Sequence, residues 1–428
     1  MHLRSSRRLR AAVGGAVALV LALTGCSAAE PEFSYTPPEQ VDGKLPDEMT
    51  AQLQKAVEQA MTATGSSGAI VGVWAPWSGE WVTGLGTQGA GDDTEVSAEM
   101  SFRAADVTRL MTCDVLYGLA DDGRVKLDAP VPKYVPGVAD LGDITLLDLC
   151  NGTSGIGSSE ASVKPYWLNT PERHWAPLQL ASFGLGVQRG PAHTAFRDSD
   201  AGYLMLGLAL ERVSGLTASQ LISKYVTTPL ELESTSLPGA SAAAPGPAPA
   251  LKGAYLPAVE GGFDCAAPVD VTKSSSSIGF TDSGVVSTIT DLGRYAQAEA
   301  RQALRDEGAK PGRFAKPLPV STKSPSWYQA TGGAYMVGSL IGQHGWVPGY
   351  ATAAYSDPAT GFTVAVTLNN SSAGGSVAAY LAWELAAIAS KAPAAEGQTA
   401  PEFGLPFTAE QYAKAITDGA ICKAPAAQ

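Results

Sequence analysis

Positive charge is what this chain is shortest of. Its 428 residues carry 29 Lys and Arg against 41 Asp and Glu, a formal net charge of −12. Such an excess of negative charge repels nucleic acid and anionic lipid, which excludes both as electrostatic partners. Histidine is scarcer still. The four present are scattered, and with no Cys-x-x-Cys pair or His-rich spacing, no metal or other cofactor is indicated. Past the first 25 residues, no run is long and apolar enough to span a bilayer. No internal repeat is present. What remains is ordinary: 45% apolar and 16% charged residues suit a chain that buries a core.

At the N-terminus, Arg4, Arg7, Arg8 and Arg10 precede the run "AAVGGAVALVLAL". A short apolar run behind positive charge is an export signal rather than a spanning helix. The run ends in "LTGC", which resembles the lipobox of bacterial lipoproteins. That resemblance implies cleavage after residue 25, acylation of Cys26 and a lipid anchor on the outer face of the cell membrane. Residues 26–45 are polar and Pro-rich, as a tether would be. Export leaves four further cysteines in an oxidising compartment. Of the three connectivities they allow, we expect Cys113–Cys150, within two adjacent helical segments, and Cys265–Cys422, which would pin the C-terminal tail.

Periodicity predicts a helix over 46–63, a hairpin from "GAIVGVWAP" and "EWVTGLGTQ", and a strong amphipathic helix over 200–215 ending at Gly215. Another helix begins near Thr290. Two strands, "GYATAAYS" and "GFTVAVTLNN", flank the turn "DPAT", and the helix "VAAYLAWELAAIAS" follows. Strands at both sequence ends with helices between them predict a two-lobed α/β (α+β) domain over 46–392. Its sheet lobe takes about 46–100 and 280–392, its helical lobe about 101–279, and 393–428 form a C-terminal extension.

Several phrases in this order, "DDGRVKLDAPVPKYVPG", "ITLLDLCNGTSGI", "SGVVSTITDLGRYAQ" and "WVPGYATAAYSDPATGFTVAVTLNN", resemble the serine β-lactamase-like hydrolases. The resemblance is to the branch of class C β-lactamases, esterases and D-alanyl-D-alanine carboxypeptidases. It implies a transpeptidase-like fold, with an antiparallel sheet flanked by helices beside a mostly helical lobe. It also implies three catalytic motifs: Ser-x-x-Lys at a helix start, Tyr-x-Asn or Ser-x-Asn, and Lys-Thr-Gly or His-x-Gly on a strand.

None of the three is intact. In "SFRAADVTRLMT" the serine position is Asp106 and the lysine position Arg109. The second motif falls on Asp198 and Asp200, or slips by one to Arg197. The third falls on Gln343, His344 and Gly345, where only the glycine fits. No Ser-x-x-Lys, Tyr-x-Asn or His-x-Gly occurs elsewhere. Arginine keeps its proton, so Arg109 cannot act as the base that an attacking hydroxyl requires. Residues three apart on a helix share a face, so Asp106 and Arg109 should form an ion pair, with Asp106 also placed to cap open amides.

Asp198 and Asp200 are expected to cap the helix starting near Ala201. Asp106, Asp198 and Asp200 against Arg109 alone would give an acidic cleft, suited to a cationic or amine-bearing ligand. The expectation is an exported lipoprotein that has lost serine chemistry and binds a cell-envelope ligand or protein. The alternative is a hydrolase with a relocated nucleophile, such as Ser199 or Thr108 served by His344.

Overall fold

The computed structural model describes residues 35–423 apart from positions 90, 139, 248 and 306–311. The signal segment, Cys26 and the first part of the tether lie outside the described residues. Helix α1 (Asp47–Thr64) opens with two acids facing its positive end and stops at Gly65, whose φ of 67° suits a residue without Cβ. The hairpin β1 (Gly68–Ala75)–β2 (Gly79–Gly89) follows, edged by β3 (Asp92–Glu95). β4 (Phe102–Arg103) leads into the helical lobe. There the chain forms α2 (Thr108–Asp121), α3 (Leu146–Asn151), α4 (Glu160–Asn169), α5 (Pro177–Leu185), α6 (Asp200–Ser214) and α7 (Ala218–Ile222).

Two small ribbons come next, built from β5 (Ala254–Tyr255), β6 (Ala258–Val259), β7 (Gly262–Phe263) and β8 (Val269–Asp270). After α8 (Phe280–Ser283), β9 (Val286–Ser287) pairs with β4, and α9 (Ile289–Ala300) returns the chain to the sheet lobe. The remaining strands are β10 (Leu318–Pro319), β11 (Tyr328–Thr331), β12 (Ala334–Val337), β13 (Leu340–Val347), β14 (Tyr350–Ser356) and β15 (Thr363–Leu368). Helices α10 (Ser376–Ala389) and α11 (Ala409–Asp418) close the described chain.

The sheet has nine strands in the order β10-β11-β12-β13-β14-β15-β1-β2-β3, and the chain's two ends meet where β15 pairs with β1. β1 lies at this junction and is buried on both faces, which is why "GAIVGVWA" reads as a continuous apolar run rather than an alternating one. Its Val71 and Val73 pack into the core shared with α1 and α10, while Ile70 faces the core shared with α9 and the helical lobe. Each core removes large aliphatic side chains from water, worth about 1.5–3 kcal/mol apiece.

Both expected disulfides are present. Cys113–Cys150 joins α2 to α3, and Cys265–Cys422 ties the segment after β7 to the tail. The tail has more to hold it than that bond. Helix α11 buries Tyr412 and Ile416, and Tyr412 stands edge-on to Trp383 of α10 at 5.0 Å.

Candidate active site

The start of α2 is a tight corner. Ala105, in the turn before the helix, holds φ at 48°, a left-handed conformation that costs a side-chain-bearing residue about 1–2 kcal/mol. The turn sets Asp106 against β13 so closely that a Cβ on Gly345 would lie 2.1 Å from the Asp106 Cγ. Only glycine lets the strand pass. Contrary to expectation, Asp106 caps no amide. It pairs with Arg109 at 3.2 Å.

Arg109 is 5% exposed, and its guanidinium is fully engaged. Nε donates to Asp282 at 2.7 Å and Nη1 to Asp198 at 2.6 Å, while Nη2 meets Asp106. The flat cation also lies over the Tyr203 ring, 5.0 Å from its centre. Three carboxylates thus surround one guanidinium, a formal charge of −2. The sum is the one expected, but the third acid is Asp282 rather than Asp200. Asp282 enters from α8, 173 residues along the chain from Arg109, and no motif in the sequence marks it.

Asp200 has another task. Its Oδ1 accepts from the Ser158 hydroxyl at 2.8 Å and the Ser159 amide at 2.7 Å, which holds the start of α4. Its Oδ2 is buried with no partner among the described residues. Neither Asp198 nor Asp200 caps α6, because Ser199 does so, accepting from the Gly202 amide. Arg197 turns away to the Gly155 and Gln188 carbonyls.

The third motif is divided between two sides of its strand. β12 pairs only with Leu340–Gly342, so β13 from Gln343 onward has no strand partner on that edge. The Gln343 amide donates to the Gly333 carbonyl at 2.8 Å. His344 points away from Asp106, as alternation along a strand requires. Its ring stacks on Tyr335 at 4.7 Å, and its Nδ1 is 2.6 Å from the Tyr355 hydroxyl. His344 therefore does not meet Ser199 or Thr108. Both hydroxyls are buried and committed: Ser199 donates to the Gly157 carbonyl, and Thr108 donates to the Ala105 carbonyl while accepting from the Val285 amide.

Beside Gly345 the cleft is roofed. The Trp346 indole donates to Glu160 at 2.8 Å, Lys164 lies 4.4 Å above its ring, and Trp167 packs against it at 6.2 Å. Helix α4 supplies all three contacts, and its N-terminus is the one anchored by Asp200. Glu160, Asp282, Tyr335 and Tyr355 were not identifiable from sequence, since none belongs to a motif and all are recruited by the fold.

Burial dominates the electrostatics. It raises the Asp106 carboxyl well above the usual carboxylate range and Asp282 to about 7, against the opposing pull of Arg109. Burial also lowers His344 to about 4. The two shifts have opposite consequences for stability. Between about pH 4 and 7 the folded chain keeps a proton on Asp282 that the unfolded chain releases, so this contribution falls as pH rises. His344 stays neutral when folded while the unfolded residue protonates, so its contribution falls as pH drops from about 6.5 to 4. Melting temperatures across this range should therefore separate the variants: Asp282→Asn loses the decline toward neutral pH, and His344→Gln loses the decline toward acid. Parallel pH profiles for wild type and both variants would refute this assignment.

The Beta-lactamase family model matches residues 53–387. Over 155 residues the chain is 30% identical to AmpH of Escherichia coli K12, a D-alanyl-D-alanine-carboxypeptidase/endopeptidase. That match takes in 34% of this chain and spans only 39% of the length of AmpH. Among solved structures, a D-stereospecific amidohydrolase from Streptomyces sp. superposes with a TM-score of 0.66 at 24% identity, covering 76% of this chain and 95% of that one. A D-amino acid amidase from Ochrobactrum anthropi SV3 gives 0.62 at 21% identity, covering 76% and 92%. These two likenesses establish the two-lobed fold around the Asp106 corner. With the family model spanning that corner, the helical lobe and the strand bearing Gly345, the chain belongs to the beta-lactamase family.

Proposed function

We propose that this protein uses the beta-lactamase family fold to bind a ligand or partner in the cell envelope, without serine acyl transfer. One observation carries the reading: the place of nucleophile and base holds a guanidinium bonded to three carboxylates. Arg109 cannot accept a proton. Asp106, even when ionised, is tied to that cation and would yield only an anhydride on acyl transfer. The "LTGC" sequence supports anchorage through an acylated Cys26, a proposal that the mass of the mature N-terminal peptide would check.

A second reading is kept because AmpH and the two amidases are hydrolases by their names. It is hydrolysis through a hydroxyl other than those of Ser199 and Thr108. Labelling the folded, mature chain with a fluorescent penicillin and a fluorophosphonate, with mass spectrometry to locate adducts, decides between them. No adduct from either probe is expected; a single labelled hydroxyl would overturn the proposal in favour of hydrolysis.

Restoring part of the motif should not restore chemistry. Asp106→Ser with Arg109→Lys leaves Asp198, Asp200, Gln343 and His344 in the other two motif positions. The double variant should acquire no penicillin adduct above wild type, and stoichiometric acylation would show that the first motif alone suffices.

A further inference from the structure

Two hollows lie away from the Arg109 cluster. One, of about 810 Å³, is walled by residues 169–173 and by the segment carrying Lys252, Asp270 and Lys273. A second, of about 480 Å³, lies between α4 and the ribbon strands, with Leu168, Tyr255, Leu256, Pro257 and Phe263 in its walls. The hollows share Asn169 at the end of α4 and so are neighbours.

Their chemistry differs in kind. The walls of the first bring Arg173, Lys252 and Lys273 together against Glu172 and Asp270, and Lys164 adds a cation in the second. Lys252 is engaged by Asp92 at 2.5 Å. Arg173 lies over the Trp175 ring, 3.8 Å from its centre, and neither it nor Lys273 pairs with a carboxylate among the described residues. The two cations come from segments joined where the Ser275 amide donates to the Pro171 carbonyl. In a chain of net charge −12, a concave site with two uncommitted cations is a local reversal of sign.

The second hollow is lined mainly by apolar side chains. An apolar concavity beside a charged one suits a ligand that carries both characters.

We propose that the two hollows form one groove for a single-chain anionic amphiphile. Its acidic headgroup lies between Arg173 and Lys273, and its acyl or aryl part lies over Leu168, Tyr255 and Phe263. This deepens the binding reading above and rests on it. It also moves the ligand out of the acidic catalytic slot, where an amine was expected, to a neighbouring site that selects the opposite charge.

Isothermal titration of the mature chain with octyl phosphate tests it. Binding is expected, with none for inorganic phosphate or octyltrimethylammonium, and affinity should rise about fourfold per methylene from hexyl to octyl phosphate. Arg173→Glu with Lys273→Glu should weaken octyl phosphate at least tenfold, and Ala258→Glu at the apolar margin should do so independently. Both sites are exposed, so melting curves should be unchanged. Equal binding of octyltrimethylammonium, or no effect of the charge reversals, would overturn the groove. Binding only to phosphatidylglycerol vesicles and never to monomeric octyl phosphate would also overturn it, in favour of a membrane surface. A penicillin adduct with octyl phosphate binding intact would remove the non-catalytic reading and leave the groove. Absence of both would remove the groove alone.

Discussion

Arg109→Met should destabilise the protein by about 3–5 kcal/mol at pH 8, because it leaves buried carboxylates without the one cation that pairs with them among the described residues. Asp282 is 5% exposed, Asp106 is mostly covered, and only Asp198 can turn to water. The loss should shrink toward pH 5, where Asp106 and Asp282 can carry protons and the missing cation matters less. Lysine is no substitute. Three acids approach three different nitrogens of one planar fork, and an ammonium cannot present that geometry. Arg109→Lys should therefore recover only part of the loss.

The decisive comparison is Arg109→Met combined with Asp106→Asn and Asp282→Asn, which removes the charge along with its partners. Replacing a whole buried ionic group is far less damaging than breaking it, so the triple variant should be more stable than Arg109→Met alone. Denaturant unfolding at pH 5 and 8 measures all four. A cost below about 1 kcal/mol at pH 8 would mean that the cluster is solvated and is not a sealed core at the start of α2.

Much of this site was legible in the sequence, and the rest was hidden for a physical reason. Asp106, in the helical turn before α2, and Arg109, in its first turn, are three apart, so their pairing follows from local helical geometry. Gly345 was identified by motif, though its purpose, to admit the Asp106 side chain, appears only when the strand and the turn are seen together. Asp282 stands where Asp200 was expected, because local spacing could place Asp200 near the motif but could not show that Ser158 and Ser159 would take it. Tertiary partners separated by 42 and 173 residues leave no periodic trace. The fold was easier to read, since the continuous apolar runs of β1 and of the hairpin β14–β15 and the Gly215 stop of α6 are local signals. Helix α6 is nevertheless buried on nearly every face of its first three turns rather than amphipathic as expected. Helix α11 was missed as an element within the extension. It buries few residues of its own, and its strongest contacts are with α10.

Gly345→Ala tests the closest contact in the site. The strand is confined on two sides there. A Cβ on Gly345 would meet the Asp106 Cγ at 2.1 Å and Oδ2 at 2.3 Å, and a Cβ on Gly375 would meet the Gly345 backbone at 2.6 Å. β13 cannot retreat far without breaking its pairing with β14, where Gly345 faces Thr352. Asp106 would have to yield, and yielding loosens its bond to Arg109. Overpacking of this kind costs about 1–3 kcal/mol, with the strained ion pair adding to it. The same substitution in an Asp106→Gly background should cost much less, because the space then exists. The coupling between the two changes, read from a double-mutant cycle of unfolding free energies, should exceed about 1 kcal/mol. Additive effects would show that the strand and the corner move independently. The closed slot would then be a loose neighbour of β13 rather than one packed unit with it.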